Sequence, residues 1–164
     1  MRINEKVDIS APPQTVWDYL ADPENYLRFM SGITHWEVRG NKANGLGARY
    51  RILVRVGAAE LGGLIEMVEW DEPFDMAWHS MTGVDQRGRW RIRERDDGRT
   101  NVEFRFMYGI VGSGIPGFIT EVSAAPLLRR QMRRTLGQLK RQVEHEQRRQ
   151  IAERRRAGRE ATRA

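Results

Sequence analysis

The chain has 164 residues, with 28 Lys and Arg against 22 Asp and Glu for a formal charge of +6, and it contains no cysteine. That length fits one domain with a core of useful size, and the lack of cysteine excludes disulfides, thiolate metal centres and cysteine nucleophiles. The charge is segregated: residues 1–128 carry a net −3 and residues 129–164 a net +9, so the basic pI describes the C-terminal end and does not make the body a nucleic-acid binder.

No apolar run is long enough to span a bilayer, and residues 1–10 lack the basic-then-apolar order of a secretory signal. A cytoplasmic, soluble protein is expected. Residues 3–9 alternate as a strand, and Pro12 and Pro13 then end it and open a helix, where their missing N–H groups cost nothing. Val16, Trp17 and Leu20 mark one face of that helix. Asp22-Pro23 closes it, and a second short helical turn carries Tyr26, Phe29 and Met30. Six further strands are predicted at residues 34–39, 48–56, 61–70, 76–81, 87–95 and 101–108, separated by Gly, Asn, Asp and Pro. Asp97-Gly98 is the best hairpin signal.

Side chains alternate between the two faces of a strand, which assigns an inner and an outer side to this meander. Tyr50, Ile52, Val54 and Val56 oppose Arg49, Arg51 and Arg55; Trp90 and Ile92 oppose Arg87, Arg89, Arg91, Arg93 and Arg95. Val102, Phe104, Phe106 and Tyr108 oppose Glu103 and Arg105. The outer arginines interleaved with acids read as cross-strand ion pairing and solubility. From residue 115 the period becomes helical: Leu128, Met132, Leu136, Leu139 and Val143 form one stripe, with a bend or break expected at Pro126 and fraying expected after Gly158.

The space between sheet and helix is either filled by side chains or left as a pocket. The candidate lining is large and adaptable: Met67, Met76, Trp78, Trp90 and Met132, then Phe104, Phe106 and Tyr108, together with Tyr50 and Ile52 and, near the mouth, Tyr26, Phe29 and Met30. Polar residues share this parity: Glu69 follows Ile65 and Met67, Ser80 follows Met76 and Trp78, and Glu94 follows Trp90 and Ile92. A carboxylate turned inward could exchange protons, which makes Glu69 the candidate catalytic residue, against the ordinary reading of a solvated strand-end acid paired with an arginine. His35, His79 and His145 form no cluster. No nucleophile set, metal spacing or phosphate-cradling motif emerges, and no cofactor is implied.

Taken in order, the opening strand, ISAPPQTVWDYLADPENYLRFM, six further strands and LRRQMRRTLGQLKRQVE resemble the START-related, polyketide-cyclase-like (SRPBCC) superfamily over roughly residues 3–145. The resemblance implies the α+β helix-grip fold shared with the birch pollen allergen: a seven-stranded curved antiparallel sheet, with two short helices after the first strand, wrapped around a long C-terminal helix. It implies one domain over residues 1–146. The residues themselves predict an Arg-rich helical extension over 147–164 that runs into solvent, and a flexible glycine-rich loop at 109–117 beside the pocket mouth, for which the resemblance implies gating of entry. Related aromatase/cyclases fold a polyketide chain in the cavity with polar groups as acid and base; Tyr26, Met30, Met67 and Glu69 look like their counterparts. Here Met67, Glu69 and Asp71 replace the aromatic and basic residues of that pattern.

Three functions follow. The first is binding of a hydrophobic small molecule such as a lipid, quinone or polyketide-like metabolite, and the second is acid–base polyketide cyclisation or dehydration. The third is contact with RNA, a ribosome or an anionic membrane through the basic tail, for which a solubilising tail is the ordinary alternative. The long exposed helix also allows a homodimer.

Overall fold

The computed structural model describes residues 2–108 and 121–163, with side chains at 2–108, 125–159 and 161. The elements are β1 (Arg2–Ile9), α1 (Pro13–Ala21), a 3-10 turn (Pro23–Asn25), α2 (Tyr26–Phe29), β2 (Ile33–Arg39), β3 (Arg49–Val56), β4 (Ala59–Asp71), β5 (Asp75–Ser80), β6 (Gln86–Glu94), β7 (Thr100–Tyr108) and α3 (Glu121–Arg163). The sheet order is β1-β7-β6-β5-β4-β3-β2, and every pairing is antiparallel. Strands β2 to β7 form the expected meander. The helical pair carries the chain across the sheet, so that β1 closes on β7 and the whole sheet can curl over α3.

Local chemistry sets the crossover. Pro13 opens α1, where the Val16 amide donates to the Pro12 carbonyl at 3.3 Å. Asp22, ahead of Pro23, turns extended at φ −85° and ψ 112°, and its carboxylate caps the 3-10 turn by accepting from the Glu24 amide at 2.9 Å. Val16, Trp17 and Leu20 all face the core.

Helix α3 buries the stripe Met132, Leu136, Leu139 and Val143. Polar contacts at its edges fix its rotation and height. Lys140 Nζ donates to the Asp8 carbonyl at 2.6 Å, Glu144 accepts from the Ser10 amide at 2.9 Å, and Thr135 Oγ1 accepts from the Ser31 amide at 3.0 Å. Pro126 lies inside the helix. The predicted fraying after Gly158 is not found: helix continues to Arg163, because Ala, Arg, Glu and Gln on either side are strong helix formers that offset one glycine. Residues 109–120, including the expected glycine-rich loop at 109–117 and the start of the helical period predicted from residue 115, lie outside the described residues. Among the described residues no helix is long and apolar enough to cross a membrane.

Candidate functional site

Inner-face aromatic residues run in a connected series across the sheet. Trp36 stacks on Tyr26 at 3.9 Å between ring centroids and meets Tyr50 at 5.1 Å; Tyr26 meets Phe29, which approaches Trp90 at 6.0 Å. Trp90 stacks on Phe104 at 4.0 Å, and Phe104 contacts both Trp78 and Phe106. Trp78 lies flat because Gly88 faces it on β6; a Cβ at Gly88 would stand 2.0 Å from the indole. Gly88 is therefore what lets a tryptophan form the floor.

At one end of this series a cavity of about 50 Å³ remains between the sheet, the Met30–Ile33 turn and the first described turns of α3. Of the predicted lining, Met30, Ile52, Trp78, Phe104, Phe106 and Met132 reach it. The others do not. Tyr26, Phe29, Tyr50, Met67, Met76 and Trp90 are packed into the core, and Tyr108 is half-buried beside Phe106. The remaining lining includes Ser31, Ile33, Trp36, Val54, Gln86, Leu128, Gln131 and Thr135, which the inward alternation had not selected as site residues. Thr135 and Gln131 follow Leu128 at helical spacing, which is the signal that could have found them. Gln131 Nε2 donates to the Ser31 carbonyl at 2.7 Å, tying the turn to the helix at the cavity edge.

The inward orientation expected for Glu69 is overturned. A bulge places Val68 and Glu69 together opposite Ala77, so parity reverses after Met67 and Trp70 turns inward onto Trp17, 5.0 Å between ring centroids. Glu69 instead lies on the outer face, where Arg89 grips both of its oxygens, one at 2.8 Å. Ser80 spends its hydroxyl oxygen accepting from the Gln86 amide at 3.0 Å, while Asp71 and Glu94 are exposed. Among the described residues around the cavity there is no Asp, Glu, His, Lys or Arg.

The buried tyrosines are poor proton donors. Burial, with Tyr50 beside it, raises Tyr26 far above the ordinary phenol value, and its hydroxyl donates to Met76 Sδ at 3.8 Å. Burial also pushes Tyr50 up to about 12, and its hydroxyl donates to the Ala43 carbonyl at 2.8 Å. Titrating chemistry sits outside. Asp75 is buried on the outer face among Arg89, Arg91 and Arg93, the last at 2.5 Å. Burial alone would raise its carboxyl, but hydrogen bonds from Arg93 and Arg91 and their charges outweigh this and hold it below the usual value. The predicted outer ion pairing is thus present.

The profile of a family described as polyketide cyclase / dehydrase and lipid transport matches residues 1–144. Among solved structures, the Zhui aromatase/cyclase from Streptomyces sp. R1128 aligns with TM-score 0.73 at 20% identity, covering 88% of this chain and 93% of its own. The Thermus thermophilus protein TTHA0849 gives TM-score 0.73 at 20% identity over 87% and 97% of the two chains. A START superfamily protein from Mycobacterium smegmatis gives 0.62 at 16% over 90% and 97%. At these identities the likeness establishes the fold. No curated protein sequence matches the chain.

Proposed function

The chain belongs to the polyketide cyclase / dehydrase and lipid transport family of the START-related superfamily, and from that premise we propose that it binds an apolar small molecule between the sheet and α3. The observation that carries this reading is the composition of the cavity wall: two tryptophans, two phenylalanines, two methionines and branched aliphatics, with neutral Ser31, Gln86, Gln131 and Thr135 as the polar groups. Such a wall recognises a hydrophobic body and orients it by a few hydrogen bonds.

At about 50 Å³ the cavity is smaller than the roughly 300–1,000 Å³ of typical ligand sites, so a guest has to enlarge it. The wall suits that. Met30 and Met132 are unbranched and re-pack at low cost, and Leu128, Trp36 and Phe106 are only half-buried. Binding is favoured over cyclisation because the described wall offers no ionisable acid or base and because Glu69 faces the opposite side of the sheet.

Native mass spectrometry of protein from its own host, followed by denaturing extraction, tests this. A defined hydrophobic adduct is expected, and Leu128→Trp, which fills the cavity from its half-exposed edge, should abolish the adduct while leaving the unfolding temperature near that of the parent. An adduct undiminished in Leu128→Trp, or repeated absence of any adduct, would remove the cavity as the binding site.

A further inference from the structure

We propose that the outer face of α3 is a docking surface for an anionic lipid bilayer. Opposite the buried stripe, Arg130, Arg134, Arg141, Arg148, Arg155 and Arg159 step by 4, 7, 7, 7 and 4. At about 100° per residue these six fall within an arc of roughly 60°, along a rod of about 44 Å. All six are exposed, and none forms an ion pair among the described residues. The arc holds no carboxylate. Glu144, Glu146 and Glu153 lie off it and are engaged by Lys140 and Arg149. Beyond Gln147, which accepts from Thr15 Oγ1 at 3.1 Å, the helix is exposed from residue 151 to 159, so the Arg148, Arg155 and Arg159 end of the ridge extends beyond its contacts with the mildly acidic body, while Arg130, Arg134 and Arg141 run alongside it.

A surface that meets all six guanidinium groups together must be flat over this length and tolerant of their spacing of about 10 Å per heptad. A fluid bilayer satisfies both conditions, since anionic headgroups diffuse to the cations. Nucleic acid fits less well: a duplex groove about 12 Å wide curves away from a rod this long, and no Trp, Tyr or Phe lies on the ridge to stack on an unpaired base. The apolar stripe is buried under the sheet, so docking is electrostatic, superficial and screened by salt. Leu127, 40% exposed, flanks the ridge near its N-terminal end. The inner side of the same helix covers the cavity with Leu128 and Met132, yet the ridge itself does not depend on the cavity holding a guest.

Sedimentation of the full chain with vesicles of phosphatidylserine in phosphatidylcholine, against phosphatidylcholine alone, tests the proposal. Binding to the anionic vesicles only, lost at high salt, is expected. Arg148→Gln with Arg155→Gln should weaken it about 30-fold, from about fivefold per arginine near the surface, whereas Arg129→Gln with Arg154→Gln removes equal charge from other faces and should cost far less. Both pairs are exposed, and far-UV circular dichroism checks that helix content is retained. Equal losses in the two pairs, no preference for anionic vesicles, or tighter binding to polyuridylate RNA than to vesicles would overturn the assignment.

Discussion

The interior has two halves built on one pattern and packed to different ends. At the α1 end, Ile9, Ile92, Val102, Leu139 and Val143 are each 0% exposed, Trp17 meets Trp70 edge to face, and Thr100 Oγ1 donates to the Ala11 carbonyl at 2.6 Å. At the other end Trp36, Phe106 and Leu128 remain half-buried around a cavity, with Met30 and Met132 between them. Both halves obey the same strand and helix periods. What differs is how completely the space is filled: the first half is sealed, whereas the second leaves a gap bordered by rings and unbranched thioethers that can shift at low cost.

One helix carries residues of both halves, so truncations along its stripe measure the difference directly. Leu139→Ala should cost about 3 kcal/mol by denaturant unfolding, because the sealed end cannot collapse into the void. Leu128→Ala should cost about 1 kcal/mol, since that residue is only half-buried, and should raise uptake of an apolar fluorescent dye. Equal costs would mean that the two halves are equally packed. Gly88→Ala comes next, at about 1–3 kcal/mol, because the new methyl group overlaps Trp78. The indole must then rise into the cavity, so dye uptake should fall along with stability.

The smallest effect is on the outer face. The folded-state carboxyl of Asp75 lies below its ordinary value of 3.8, so its stabilising contribution is complete at neutral pH and is lost only as pH falls below about 4 and through the folded value. Acid unfolding of Asp75→Asn should accordingly be flatter than that of the parent in this range. The effect stays modest because Arg91 and Arg93 are 33% and 46% exposed and therefore screened. A large loss of stability in Asp75→Asn at neutral pH would show that the outer arginine cluster, and not the sealed half alone, holds the sheet.

The order of elements, the two faces of the sheet, the inner stripe of α3 and the concentration of net positive charge in the last helix were all legible in the residues alone. Each of these is a local or periodic property: proline punctuation at Pro12-Pro13 and Asp22-Pro23, a period of two in β3, β6 and β7, and a step of three or four from Leu128 to Val143. The tertiary structure alone decided that Glu69 points outward. A bulge at Val68 is an event of pairing between β4 and β5, and one extra residue reverses every later side chain without altering the pattern of residue types. It also decided which inward residues border empty space. Trp90 and Met67 share the inward parity and the chemistry of Trp78 and Phe106, but a cavity is the difference between the volume that the fold encloses and the volume that side chains fill, and that difference exists only once the helix and the sheet are set against each other.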